Sequence, residues 1–142
     1  MTPSEYQNPI LCADYSDPDI VRVGDDFFMV SSSFNHVPAL PILHSTDLVN
    51  WTIINHVMDE LPLPGYDRHQ PGKGVWAPSI RWHDGKLWVC FSTPDEGIFI
   101  CHTEDPWGEW SAPHCLREAR GWIDPCPFWD DDGSAYMAHA YA

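Results

Sequence analysis

Basic side chains are scarce in this 142-residue sequence. Seven lysines and arginines stand against 21 aspartates and glutamates, and the formal net charge is −14 with histidine neutral. A protein this acidic repels the phosphates of nucleic acids and the headgroups of anionic membranes. We therefore expect no nucleic-acid partner and no membrane partner, and the charge leaves a neutral or cationic ligand as the alternative.

Long apolar runs are lacking as well. No segment approaches the roughly 20 consecutive apolar residues that a membrane-spanning helix needs. The N-terminal stretch MTPSEYQNPIL has neither a basic region nor an apolar core, so it does not have the pattern of a secretory signal peptide. We expect a cytoplasmic location on this basis.

The five cysteines include no C-x-x-C pair. Their odd number and wide spacing argue against a disulfide framework, and a zinc site needs ligands that are clustered more tightly. We interpret them as small buried thiols of a protein from a reducing compartment.

Tryptophan and proline, by contrast, are abundant, with eight and fourteen copies. This composition favours short strands joined by shaped loops. Three segments align as an internal repeat with a proline at the third position: SDPDIVRVGDDFFMVSSS (16–33), WAPSIRWHDGKLWVCFST (76–93) and IDPCPFWDDDGSAYMAHA (123–140). In each, apolar alternation leads into a turn and a second apolar strand, which predicts a hairpin. The predicted turns are Gly24-Asp25, Asp84-Gly85 and Asp132-Gly133.

A second match extends the repeat. ILHSTDLVNW (42–51) and ICHTEDPWGEW (100–110) both contain a strand ending in histidine, an acidic loop and a tryptophan. The unit is thus about 58–60 residues long and holds four strands, with insertions expected at 34–41 and 59–75.

Radial repetition of four-stranded sheets is typical of a β-propeller. We expect an all-β fold with blade 1 at about 8–70, blade 2 at about 71–120 and the start of blade 3 at about 121–142. The missing blades are expected from a longer chain or from oligomerisation, because an open arc leaves an unpaired edge. A small β-sandwich of eight to ten strands is the alternative.

The repeat places Asp17, Ala77 and Asp124 at equivalent positions, each directly before a proline. The first strand of each propeller blade lines the central channel, so two carboxylates are expected to face one pocket. Paired carboxylates suit the cleavage of a glycosidic bond. An Asp-Pro pair also commonly starts a turn or caps a strand, so a purely structural role stays open. Asp14 and Asp19 are interpreted as solvated turn residues or local hydrogen-bond acceptors.

Residues 8–51 together with GVWAPSIRWHDGKLWVCFST and GWIDPCPFWDDDG resemble glycoside hydrolase family 43, which comprises five-bladed β-xylosidases and α-L-arabinofuranosidases. The resemblance implies that Asp17 is the general base of an inverting hydrolysis and that Asp124 tunes the catalytic acid. It also implies that Phe34 and Trp76 shape the sugar pocket. Trp122, beside the third proline motif, is a further candidate for stacking on a sugar face. The family's acid, a glutamate about sixty residues beyond Asp124, has no counterpart here.

The implied substrate is a xylo- or arabino-oligosaccharide. No cofactor is required by the resemblance, although some relatives hold a structural calcium ion in the channel. Two alternatives stay open. One is a retaining hydrolase of the invertase and fructosidase type, which the motifs Ser-Asp-Pro-Asp and Ile-Asp-Pro fit less well. The other is a non-catalytic sugar-binding or inactive propeller fragment.

Overall fold

The computed structural model describes residues 5–35 and 37–142, and within these ranges it holds ten strands and no helix. The first four strands are β1 (Asp19–Val23), β2 (Asp26–Val30), β3 (Ala39–Ser45) and β4 (Thr52–Met58). The next four are β5 (Trp76–His83), β6 (Lys86–Thr93), β7 (Gly97–Thr103) and β8 (His114–Glu118). The last two are β9 (Trp122–Trp129) and β10 (Ala135–Tyr141).

The strands form three separate antiparallel sheets: β1-β2-β3-β4, β5-β6-β7-β8 and the two-stranded β9-β10. The two complete sheets repeat each other, as predicted. His44 and His102 lie near the ends of the third strands, and the outer strands follow Trp51 and Trp110. Three small sheets formed in chain order are not the two facing sheets of a sandwich, so that alternative is wrong.

Two of the three predicted hairpin turns are as tight as expected. Gly24-Asp25 joins β1 to β2 and Asp84-Gly85 joins β5 to β6, with glycine in the left-handed region that such turns require. The third turn is longer and spans residues 130–134. The amide of Asp130 donates to the carbonyl of Ser134, and the amide of Gly133 donates to the carbonyl of Asp130.

The core lies between the first two sheets. Apolar side chains of β2 and β3 pack against those of β5 and β6 and are almost inaccessible to solvent: Val30, Leu40, Ile42, Ile80, Leu87, Val89 and Phe91. Burial of this apolar area at about 25 cal/mol per Å² is the main force that holds one sheet on the next. The third sheet presents more apolar surface, since Phe128 and Tyr141 are 58% and 77% exposed.

The inner edges of the sheets converge. β1, β5 and β9 are each the first strand of a sheet, and β5 lies beside both β1 and β9. Residues at the entrances of these strands are therefore brought to one region, as the repeat predicts. His36 of the predicted 34–41 insertion and the first four residues of the N-terminal stretch lie outside the described residues. No helix in the described part of the chain has the length and apolarity to cross a membrane.

Candidate active site

Asp17 and Asp124 share an unusual backbone conformation. Their φ angles are +51° and +55°, in the left-handed region, although each precedes a proline, a position that normally favours extended backbone. Ala77, a described residue at the equivalent position of the second sheet, does not have a positive φ angle. Local strain of this kind is concentrated at functional sites, so the two aspartates stand apart from the ordinary strand entrance.

The Asp17 carboxylate is held by a hydroxyl from its own sheet. Ser32 Oγ donates to Asp17 Oδ2 at 2.6 Å, and the Ser32 amide donates to the carbonyl of Ser16 at 3.0 Å. Ser32 is 3% exposed, whereas Asp17 is exposed. The carboxylate is thus anchored on a buried group and still open to solvent.

Asp124 lies on the third inner strand, close to its start. The next residue, Pro125, is fully buried, and its carbonyl accepts a 2.6 Å hydrogen bond from Ser79 Oγ of β5. The Asp124 side chain itself is exposed. A buried bond one residue away therefore fixes the backbone from which this carboxylate projects.

The sequence analysis interprets Asp19 as a solvated turn residue or a local hydrogen-bond acceptor, and the structure shows that this interpretation is wrong. The Asp19 carboxylate bonds a neighbouring sheet. Its Oδ2 accepts from the Ile80 amide at 2.9 Å and from Arg81 Nη1 at 2.5 Å, both on the inner strand of the second sheet. Arg81 Nη2 lies 2.9 Å from Cys126 Sγ on the third. One guanidinium thus links three sheets beside the two aspartates. Sequence reasoning missed this link, although an arginine on an inner strand is unusual in a chain so poor in basic residues.

Phe34 and Trp76 lie together where the first sheet meets the second. Their ring centroids are 5.9 Å apart in an edge-to-face arrangement, and Trp76 Nε1 donates to the Gly72 carbonyl at 3.1 Å. Ser33 and Val75 form an isolated antiparallel bridge beside them. Gly74 has φ +104°, and a Cβ there would lie 2.8 Å from the Phe34 carbonyl oxygen, so only glycine fits this approach.

A cavity of about 240 Å³ adjoins Phe34. Its floor is apolar, with Ala39, Leu61 and Val75, and its rim is polar, with Arg68 and His69 among others. Segments of the two predicted insertions, 34–41 and 59–75, provide most of this lining. An apolar floor with a few polar groups at the mouth is the usual composition of a small-molecule site.

Trp122 lies in a different setting from the other two aromatic candidates. Its ring stacks on His139 with centroids 3.8 Å apart, and the Arg117 guanidinium lies over it at 5.7 Å. The structure therefore brings Phe34 and Trp76 together, whereas Trp122 contacts His139 of the third sheet and Arg117 of the second. Whether its ring also contacts a sugar stays a prediction.

The cysteines are more varied than the sequence indicates. Cys90 and Cys101 are fully buried and burial raises the pKa of each thiol to about 12. Cys115 and Cys126 are partly buried, and Cys12 is exposed, which contradicts a uniform set of buried thiols. Across residues 5–35 and 37–142, no three His, Cys, Asp or Glu side chains are grouped as metal ligands would be.

The repeated four-stranded sheets and the convergence of their first strands are the architecture of a β-propeller. The family model of glycosyl hydrolases family 43 matches residues 6–142. The chain belongs to this family. It is accordingly all-β and of the five-bladed β-propeller class, of which it contains about the first two and a half blades.

Individual relatives agree with this assignment. A putative beta-xylosidase from Xylanibacter ruminicola is 42% identical over 137 residues, which are 95% of this chain and 25% of that protein. A xylosidase/arabinosidase from Butyrivibrio fibrisolvens is 43% identical over 91% of this chain and 25% of its own length. The crystal structure of a family 43 protein from Bacillus licheniformis superposes with a TM-score of 0.85 at 33% identity, covering 95% of this chain and 29% of that one. The chain thus spans about a quarter of the length of the curated relatives it matches.

Proposed function

We propose that this chain forms the base-carrying part of an inverting glycoside hydrolase that removes terminal xylose or arabinofuranose from xylan-derived oligosaccharides. The observation that carries the proposal is the pair Asp17 and Asp124. Both are exposed and both have left-handed backbone. Asp17 lies two residues before β1, Asp124 lies on β9, and both of these strands lie beside β5. Family membership supports the reaction class, and the printed names of the relatives support the sugar class.

In the proposed reaction, Asp17 is the general base. Its carboxylate takes a proton from a water molecule as the water oxygen bonds to the anomeric carbon, and the glycosidic C–O bond breaks on the opposite face. A protonated acid outside this chain donates its proton to the leaving oxygen, and Asp124 tunes that acid. Neither charge nor atoms are left over, and the product has inverted configuration.

Phe34 and Trp76 are proposed to bind the terminal sugar. Aromatic rings suit this task because their faces stack against the C–H surface of a sugar and their edges pack in fixed relative orientation. The edge-to-face contact between these two rings and the hydrogen bond from Trp76 Nε1 hold the pair in place without a ligand. The adjoining cavity beside Phe34 then has room for a further part of the oligosaccharide.

The test uses a chimera in which residues 5–142 replace the aligned segment of the Xylanibacter ruminicola relative, which supplies the remaining blades. We expect hydrolysis of nitrophenyl xyloside or arabinofuranoside, and a fall in kcat of about 10²- to 10⁴-fold in Asp17→Ala, the range for losing a general base. Asp14→Ala, an exposed aspartate three residues away, is the matched control. Equal activity in Asp17→Ala and Asp14→Ala would contradict the assignment.

A non-catalytic sugar-binding role is the second candidate. The aromatic pair and the cavity beside Phe34 lie within the described residues, and this role needs no acid to protonate a leaving group. Titration of the 142-residue chain with xylobiose, followed by tryptophan fluorescence, measures binding alone. A chimera that binds xylobiose without turning over either glycoside would favour this candidate over the hydrolase. Product of retained configuration, seen by NMR early in the reaction, would instead favour the invertase-like alternative.

A further inference from the structure

We propose that Ser32 is a positioning residue for the general base, holding the Asp17 carboxylate in the orientation that activates water. The inference rests on the proposed function and adds a residue to it. Ser32 does not contact the substrate in this proposal; it acts through the 2.6 Å hydrogen bond that its hydroxyl donates to Asp17 Oδ2.

The Asp17 side chain needs such a support. It is exposed, and Ser32 is the hydrogen-bond partner that the described residues provide for its carboxylate. A solvated carboxylate on a free side chain samples several rotamers, and a misplacement of about 1 Å at a reacting group lowers rates by up to about 10²-fold. One hydroxyl bond to one oxygen restricts the side-chain rotation and leaves the other oxygen available.

Ser32 is itself well fixed. It is 3% exposed, and its amide donates to the carbonyl of Ser16, the residue that precedes Asp17. The same residue thus bonds the backbone on one side of Asp17 and the carboxylate of Asp17. Donor and acceptor are held in register by this local pairing.

The second sheet shows what the same position looks like without the aspartate. Sixty residues on, Ser92 is the repeat equivalent of Ser32, and Ala77 is the equivalent of Asp17. Ser92 pairs with Trp76 in the ladder and is fully buried, but among the described residues its hydroxyl has no hydrogen-bond partner. Both serines are buried, and the hydrogen bond to a carboxylate is the feature that distinguishes Ser32 from Ser92.

The chimera provides the test, with Ser92→Ala as the matched control. We expect Ser32→Ala to lower kcat by about 10- to 100-fold with KM changed by less than about 2-fold, and Ser92→Ala to leave both unchanged. Ser32→Thr, which keeps the hydroxyl, restores most of kcat. Ser32→Cys keeps the volume and replaces the hydroxyl by a weak donor, so a lowered kcat in a folded Ser32→Cys protein separates positioning from folding.

A second readout separates this inference from the proposed function. In an Asp17→Ala background, Ser32→Ala should remove nothing further, because the group it positions is gone. The inference is overturned if Ser32→Ala matches Ser92→Ala, or if Ser32→Ala lowers the residual activity of Asp17→Ala by its full factor. Undiminished activity in Asp17→Ala itself would instead overturn the proposed function.

Discussion

The link from Arg81 to two neighbouring sheets makes a stability prediction that can be worked through from the structure. Arg81→Met keeps the aliphatic part of the side chain and removes the guanidinium. It breaks the 2.5 Å ion pair with Asp19 and the 2.9 Å contact with Cys126, while Asp19 keeps its bond from the Ile80 amide. The substitution thus removes charge and hydrogen bonds with little loss of packing.

The size of the effect follows from the exposure of the pair. Exposed ion pairs contribute about 0–1 kcal/mol, and breaking a buried pair costs about 3–5 kcal/mol. The side chains of Arg81 and Asp19 are 34% and 30% exposed, so water replaces part of what is lost. We expect the free energy of unfolding to fall by about 2 kcal/mol, and with a slope of about 2 kcal/mol per M the urea midpoint falls by about 1 M.

The assay is urea unfolding of the 142-residue chain followed by tryptophan fluorescence. Arg120→Met is the matched control, because Arg120 is 84% exposed and contacts Asp95 at 3.4 Å; its midpoint should equal that of the parent. In a double-mutant cycle, Asp19→Asn and Arg81→Met should be less than additive. Equal midpoints for Arg81→Met and Arg120→Met would refute the reasoning, as would strict additivity in the cycle.

Two further predictions concern the aromatic pocket and the buried thiols. Gly74→Ala should weaken xylobiose binding by about 10-fold or more, because the added Cβ displaces the Phe34 backbone. Gly24→Ala is the control, because a Cβ at Gly24 meets no atom within 4 Å. Titration with xylobiose compares the two variants, and equal affinities would contradict the role of Gly74. Cys90 and Cys101 should resist iodoacetamide at pH 8 in the folded chain, since thiols with a pKa of about 12 are almost wholly protonated and these are buried. Mass mapping should find Cys12 labelled first, and prompt labelling of all five thiols would show that the sheets are not packed as described.

The strand order and most turns were predictable from the sequence because they depend on neighbouring residues. Asp84-Gly85 between apolar alternations specifies a tight hairpin by backbone conformation alone. The third strands were predictable for a similar reason, because each ends near a histidine, His44 or His102, that is followed by an acidic loop and a tryptophan. The loop at 130–134 differs because two extra acidic residues lengthen the connection, which the Asp132-Gly133 signal by itself does not reveal.

The contacts between sheets could not be predicted, because they depend on how one repeat packs against the next. Nothing local distinguishes Asp19, which pairs across to Arg81, from the exposed Asp14. Trp107 is a similar case. Its position after an acidic loop does not distinguish it from a core tryptophan, but Trp107 is 53% exposed and packs edge-on against Phe28 with a centroid distance of 5.6 Å. Burial is decided by the surrounding sheet, which the repeat pattern does not contain.

The polar residues at the starts of the inner strands fall into two groups. One group bonds a neighbouring sheet, and the other lies at the candidate site. At the position two residues beyond the site position, every repeat unit has a group that bonds a neighbouring sheet: Asp19, Ser79 and Cys126. At the site position, the Asp17 carboxylate bonds a hydroxyl of its own sheet and stays exposed. In each unit the two positions are two residues apart, so the site position and the bond between sheets are close together along the chain. Asp19 accepts two hydrogen bonds at one oxygen and thereby connects two sheets. Asp17 accepts one hydrogen bond from a neutral hydroxyl and is open to water. This difference in partners, and not the acidity of the SDPD motif as a whole, supports the proposal that Asp17 and not Asp19 is the base.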